Sequence, residues 1–474
     1  MHKAGGQTVD LFTITLDREG KSPLYAQLYA HIAAEIRGGR LLAGERLPSK
    51  RNVAAHLQIS QNTVEGAYDL LVQEGYLYTL PRSGFYVSKI EKLSPPPEAP
   101  PSPEPEKASP LQNLAYAYDF RTNAVDAESF PYKTWAKLNR AVLTGHENLL
   151  TAGEPQGDYP LREVLCKYLH EFRGVRCQPE QMVIGAGIEY LLTLLTQLLE
   201  RPLFAVEDPG YDKAAKLLTG SGGRVVYLPL DREGMEVSAL MSSGAQVAYI
   251  TPSHQFPTGL LMSIARRSAL LRWAGEQPER YLIEDDYNGE FTFSGKPIPA
   301  VQGMDSNGRV IYMSTFSRIL APSFRIAYMV MPETLLARFR EMFSSHSSTV
   351  SRFEQHTLLA FIQGGYLGRH LNRVKHIYKK RRDFLLGKLQ SYDIPGGIKV
   401  SGERAGLHLL VKLSPPAVKT VLDRAQRENI RLFRVSDFVR GGSQVGENLL
   451  ILGYAGMSEE KLEKALDFLF SDLR

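Results

Sequence analysis

Apolar positions in the first ninety residues follow a helical period. Leu24, Leu28, Ile32 and Ile36 recur every fourth residue, which predicts a helix with one buried stripe. Gly38-Gly39 ends it. Pro48-Ser49 offers a second start, with Ser49 as N-cap and Val53, Ala54 and Leu57 facing inward. Ser60 caps a third helix, in which Val64, Ala67, Tyr68 and Leu71 share one face until Gly75 closes it. Tyr76-Leu77-Tyr78 and Phe85-Tyr86-Val87 flank Pro81-Arg82-Ser83-Gly84 and read as a short β-hairpin. Further on, short apolar runs at 203–206, 225–228, 247–250, 281–283 and 310–313 alternate with amphipathic stretches such as 214–218 and 264–274. This alternation predicts an α/β domain with a largely parallel sheet and helices on both faces. Polar motifs stand just after several of these runs, at 207–211, 251–259, 284–287 and 314–318. Ligands of such sheets bind beyond the carboxyl ends of the strands, so the four motifs predict one pocket.

Composition adds a boundary. Prolines at 95, 96, 97, 100, 101, 103, 105 and 110 exclude a helix or a central strand and predict a polyproline spacer. The chain of 474 residues thus divides into a helical module at 12–88, a linker at 89–112 and a large domain at 113–474. At 43% hydrophobic and 23% charged it is no disordered chain. No apolar run reaches about 18 residues, and the first residues lack the apolar core of a secretory signal, so a cytoplasmic protein without membrane spans is expected. The two cysteines, Cys166 and Cys177, match no metal-ligand spacing, so no metal is expected. The net charge of +5 permits nucleic-acid binding without arguing for it.

The second and third helices meet at Gln58-Ile59-Ser60, a helix-turn-helix spacing. The third helix opens with Gln61, Asn62 and Thr63. Gln and Asn suit an adenine edge, and Thr suits base or phosphate. Ser49, Lys50 and Arg51 open the second helix, where backbone N–H groups and basic side chains suit a phosphate. Arg82, beside Gly84 at the hairpin tip, reaches toward a minor groove or backbone. Residues 47–54, 59–64, 75–77 and 82–87 together resemble the GntR-type winged helix, an α+β fold, over nearly all of 12–88. Gln61 stands where that family usually has Arg, and Gln58 replaces its common turn Gly, so an altered operator is expected.

The second segment resembles fold-type I aminotransferases over about 350 residues. The likeness rests on Pro155-Gln156-Gly157, Leu161-Arg162, Gly185-Ala186-Gly187, Glu207 to Tyr211, Thr251 to Gly259, Glu284-Asp285-Asp286-Tyr287 and Ser314 to Arg325. Both parts together resemble the MocR subfamily of GntR regulators, nearest in wording to its GabR-like members. That resemblance implies double-stranded DNA as partner, a head-to-tail homodimer, and an unidentified small-molecule effector sensed through pyridoxal 5'-phosphate. It assigns Asp285 to the pyridine nitrogen, Tyr287 to the ring O3′, Tyr211 to stacking, and Arg325 with Ser317 to the phosphate. The family motif ends in Lys, but this chain reads Thr315-Phe316-Ser317-Arg318. A guanidinium keeps its proton to a pKa above about 12 and supplies no neutral amine, so neither the usual covalent link nor transamination is expected. Three further departures accompany it. Ile188 and Glu189 replace a small hydroxyl residue and Gln, Gly456 replaces an effector-gripping Arg, and Lys213 replaces an Arg after the stacking Tyr. Lys213 and Lys296 are the candidate substitute amines. The expected protein is a regulator without catalysis. Its rivals are an aminotransferase carrying an accessory DNA module and a ligand-independent architectural repressor.

Overall fold

The computed structural model describes residues 14–18, 20, 22–90, 116–145, 147–293, 299–442 and 445–473. The proline-rich linker and Lys296 lie outside the described residues. The chain forms two compact units, Met1–Asn113 and Leu114–Arg474.

In the first unit, α1 (Leu24–Arg37), α2 (Lys50–Leu57) and α3 (Gln61–Gln73) precede a hairpin of β1 (Leu77–Leu80) and β2 (Gly84–Val87). The stripe positions Leu28, Ile32, Val64, Ala67, Tyr68 and Leu71 are fully buried together. The Tyr68 hydroxyl donates to the Pro48 carbonyl at 3.0 Å, tying α3 to the entry of α2. Both expected caps form: Ser49 Oγ accepts the Asn52 N–H at 3.3 Å and Ser60 Oγ accepts the Thr63 N–H at 3.1 Å. Between the helices Gln58 takes φ +52°, a left-handed conformation that favours glycine. Gln58→Gly is therefore expected to stabilise the module by about 1 kcal/mol, read from denaturant unfolding.

The second unit opens with β3 (Tyr118–Asp119). Its main sheet holds β4 (Met182–Gly185), β5 (Leu203–Asp208), β6 (Arg224–Asp231), β7 (Gly234–Met235), β8 (Val247–Ile250), β9 (Tyr281–Asp285), β10 (Val310–Thr315) and β11 (Ala327–Val330). The strand order is β4-β11-β10-β9-β8-β5-β6-β7. Strands β10, β9, β8, β5 and β6 pair in parallel; β11 runs antiparallel to both neighbours and β7 to β6. Successive residues face opposite layers: Leu282 packs with Trp273 and Leu270, and Ile283 with Leu191 and Met313. The carboxyl ends of β10, β9, β8 and β5 are adjacent, which brings the four polar motifs to one edge.

One expectation needs correcting. Three of the four polar motifs begin inside the strands rather than after them, because β5 runs to Asp208, β9 to Asp285 and β10 to Thr315, whereas the motif at 251–259 starts directly after β8. The ladder continues there, with Asp285 opposite Met313 and Asp208 opposite Pro229, and these polar ends are buried. A smaller sheet of β12 (Lys399–Ser401), β13 (His408–Lys412), β15 (Phe433–Arg434) and β16 (Leu449–Gly453) has the order β12-β13-β16-β15. Between β13 and β15, β14 (Ile430–Arg431) pairs in parallel with β3. Cys166 and Cys177 are free thiols with sulfurs 3.3 Å apart.

Candidate ligand site and nucleic-acid interface

At the edge where the strands end lies a cleft of about 410 Å³. Tyr211, Asp285, Tyr287, Ser317, Arg318 and Arg325 all line it. The motifs at 207–211, 284–287 and 314–318 thus converge on one cavity, and Thr251 and Phe256 of the fourth line it as well.

Asp285 ends β9, and its side chain is buried. Its Oδ2 accepts the Tyr249 hydroxyl from β8, while its Oδ1 has no partner among the described residues. Burial pushes the carboxyl up to about 7; the Tyr249 bond and the Arg318 charge oppose this, and Asp286 adds to it. Asp286 is tied elsewhere. It pairs with Arg173 at 2.6 Å, with both side chains at most 2% exposed, and accepts the Tyr312 hydroxyl at 2.7 Å. The pair Asp285-Asp286 is therefore no solvated acidic turn.

Burial likewise pushes Glu207, Glu284 and Glu290 up to about 7. It pulls His408 down to about 4, and His254 and His370 below their ordinary value. The carboxylic acids keep protons that the unfolded chain has released, so their contribution falls as pH rises from 4.5 toward 7 and beyond. The histidines act in the opposite direction, but only below their ordinary value of 6.5. Stability is therefore expected to decline from about pH 6.5 to pH 8, as measured by thermal unfolding across that window.

The Tyr287 hydroxyl donates to the His254 carbonyl at 2.9 Å, and its ring lies 5.6 Å from the Arg318 guanidinium. Arg318 donates to the Thr122 carbonyl. Among the described residues no carboxylate comes within ion-pair distance of Arg318. Ser317 Oγ bonds Thr315 Oγ1 at 2.8 Å. Tyr211 meets Phe256 edge to face at 5.8 Å. Arg325, which the family resemblance assigns to a phosphate, is ion-paired to Glu189, and Glu189 also pairs with Lys213. Burial raises the Glu189 carboxyl, but bonds from Lys213, its own backbone and Arg325 outweigh it and hold the group down to about 2. The close packing needs Gly187, at φ +91°: a Cβ there would lie 2.2 Å from Arg325 Nη2. A Cβ on Gly456 would lie 2.4 Å from the Ala124 Cβ, so a larger residue there needs Ala124 to shift; Gly456 itself is exposed and is not part of the cleft lining.

These contacts test the implied cofactor. The ring end fits, since Asp285 Oδ1 is buried and unpaired and aromatic walls surround it. The phosphate end and the covalent end do not. Glu189 already neutralises Arg325, and a phosphate beside it meets like charge. Arg318 offers no neutral amine, and Lys213, the lysine lining the cleft, has its ammonium on Glu189.

Several wall residues were not singled out from sequence. Nor was Tyr249, which bonds Asp285 without lining the cleft and sits within an apolar run. Arg121, Thr122 and Asn123 follow the two-residue strand β3, Arg431 ends its partner β14, and Phe433 and Phe438 come from the small sheet and the turn after it. Strand alternation was the one available signal, and only for Tyr249.

On the winged helix, Gln61, Asn62, Arg51 and Arg82 are exposed. Thr63 is half-buried and bonds Ser60 Oγ at 2.8 Å. Lys50 is held by Glu65 at 2.6 Å and lies 5.3 Å from the Phe85 ring, so its charge is shared within the module. Arg82 takes φ +60° and Gly84 φ +115° at the hairpin tip. Among the described residues no helix is long and apolar enough to cross a membrane, and no group of three or more His, Cys, Asp or Glu is placed to hold a metal ion.

Comparison with known proteins agrees with this architecture. Residues 119–469 match the family model for aminotransferase class I and II, and residues 24–87 the model for bacterial regulatory proteins of the gntR family. The chain is 37% identical to an uncharacterized HTH-type transcriptional regulator of Bacillus subtilis, YdeL, over 95% of this chain and 97% of the relative. It is 32% identical to the probable rhizopine catabolism regulatory protein MocR of Rhizobium meliloti, over 97% of this chain and 95% of that one. Among solved structures, the kynurenine aminotransferase of Pyrococcus horikoshii, in complex with PMP, covers 74% of this chain and 89% of its own at 28% identity and a TM-score of 0.65. A multiple substrate aminotransferase of Thermococcus profundus covers 77% and 94% at 26% identity and a TM-score of 0.66. With a winged helix and an aminotransferase domain matched in one chain, and with full-length relatives of the same build, the chain belongs to the MocR-type HTH transcriptional regulators.

Proposed function

We propose that the chain is a DNA-binding regulator, acting as a homodimer, whose aminotransferase-like domain binds a small effector without transaminating it. One observation supports this reading: Arg318, which the family resemblance matches to the lysine that transamination requires, lines the cleft, in a chain that also carries a winged helix. Gln61 and Asn62 read base edges, Arg51 and Arg82 meet phosphates, the Ser49 and Ser60 caps start the two helices, and the Tyr68–Pro48 bond ties α3 to the entry of α2. An effector shifts the balance between two states of the dimer by its difference in affinity for them.

Selection of bound sequences from a random duplex pool with the full chain, followed by titration of the winning site, tests the DNA half. Asn62→Ala is expected to weaken the selected site about 5- to 150-fold while leaving nonspecific DNA unaffected. Arg51→Ala is expected to weaken both alike and to reduce the salt dependence. Equal loss on all sequences for Asn62→Ala would contradict its base-reading role.

A second reading, a working transaminase, draws on Asp285, whose free oxygen suits a pyridine nitrogen. It requires an amine other than position 318. Product formation from any amino acid and a keto acid, at stoichiometry above one turnover, would establish it.

A further inference from the structure

The mismatch between this cleft and a phosphorylated cofactor points to what the cleft holds instead, an inference that rests on the non-transaminating reading above. We propose that the cleft binds an unphosphorylated nitrogen heterocycle bearing a carboxylate, and that Glu189 is a built-in anion that bars phosphorylated ligands. Three observations support it.

First, Glu189 bridges Arg325 and Lys213, so the cations at that end of the cleft already have their counter-charge. A ligand phosphate must displace this carboxylate or sit beside it, and either is unfavourable. Second, Asp285 lines the cleft, and its buried Oδ1 has no partner among the described residues. Buried acceptors without partners are uncommon, and a ring N–H completes this one. Third, Arg318 lies in the same wall, donating to a carbonyl but paired with no carboxylate among the described residues. Its remaining N–H groups form the fork that a carboxylate fills in a bidentate manner. Tyr211, Phe256 and Tyr287 supply flat walls between the two polar ends, and about 410 Å³ suits a single substituted ring. Arg121 and Arg431, the other cations of the lining away from Glu189, both pair with Asp119, Arg431 at 3.8 Å, which leaves Arg318 to receive the ligand's charge.

The test uses isothermal titration of the full chain with three probes that share one ring: 4-pyridoxate, with a carboxylate and no phosphate; pyridoxal, with neither; and pyridoxal phosphate. Wild type is expected to bind 4-pyridoxate about tenfold or more tighter than either other probe. Glu189→Gln is expected to improve pyridoxal phosphate about tenfold while changing 4-pyridoxate little. Arg318→Gln is expected to bring 4-pyridoxate down to the affinity of pyridoxal. If that variant fails to fold, the ranking in wild type and in Glu189→Gln decides. No measurable 4-pyridoxate binding, an equal or tighter pyridoxal phosphate in wild type, or no response of pyridoxal phosphate to Glu189→Gln overturns the proposal. Borohydride treatment of the pyridoxal phosphate sample separates the two failures. A fixed adduct in wild type overturns the non-transaminating reading, whereas tight but removable binding overturns only this inference.

Discussion

The double variant Arg318→Lys/Glu189→Gln, mixed with pyridoxal phosphate, is expected to gain a visible absorbance band that borohydride fixes to the protein, where wild type gains none. The two substitutions address different obstacles. Arg318→Lys supplies an amine that loses its proton within reach of neutral pH, as burial favours for lysine and as guanidinium does not allow. Glu189→Gln keeps the shape of the side chain but removes the negative charge that occupies Arg325 and Lys213. The account therefore predicts non-additivity. Arg318→Lys alone labels weakly, Glu189→Gln alone does not label, and the pair labels at lower cofactor concentration than Arg318→Lys. If Arg318→Lys alone labelled as readily as the pair, Glu189 would be no obstacle to a phosphate. Mass spectrometry of the reduced protein places the label at position 318.

The second large effect concerns stability. Asp286→Ala is expected to cost the large domain about 3–5 kcal/mol, because it leaves the Arg173 guanidinium charged and buried without its carboxylate. The Tyr312 hydroxyl loses its acceptor in the same step. Arg173 retains its bond to Ser253 Oγ at 2.7 Å, which does not neutralise its charge. Asp286→Asn, which keeps an acceptor but not the charge, should fall between wild type and Asp286→Ala. Urea unfolding monitored by circular dichroism reads the difference. A cost below about 1 kcal/mol, the range of an exposed pair, would mean that the arginine finds another counter-charge. Asp285→Asn is expected to behave differently, because Asp285 has one unpaired oxygen and is held near neutrality by burial. Its loss should fall on ligand binding more than on folding.

Much of this organisation was legible from residue order. The winged helix announces itself through Ser49 and Ser60, each ahead of a helical stripe, because a cap and a period of four are local properties. Five strands of the main sheet were legible as apolar runs, since buried parallel strands carry apolar side chains on both faces. The cleft residues could be named because the motifs at those strand ends resemble those of fold-type I aminotransferases, which implies roles for Tyr211, Asp285, Tyr287, Ser317 and Arg325. What escaped notice depends on distant partners. Glu189 was visible as a misfit near a phosphate, but its pairing with Arg325 spans 136 positions and only the fold brings the two together. The strand ends at Asp208, Asp285 and Thr315 read as loop because they are polar, and their burial follows from partners on neighbouring strands such as Tyr249. The small sheet, with strands of two to five residues, leaves too short a pattern to recognise.

The proposed regulator binds pyridoxal phosphate without a covalent link, or not at all. The most direct measurement is the absorbance spectrum of the purified full chain after incubation with pyridoxal phosphate, recorded before and after borohydride reduction and gel filtration. The account predicts that no visible or reduced chromophore stays with the protein. A band that borohydride fixes and gel filtration does not remove would contradict it, and would show that a lysine other than position 318 forms the link.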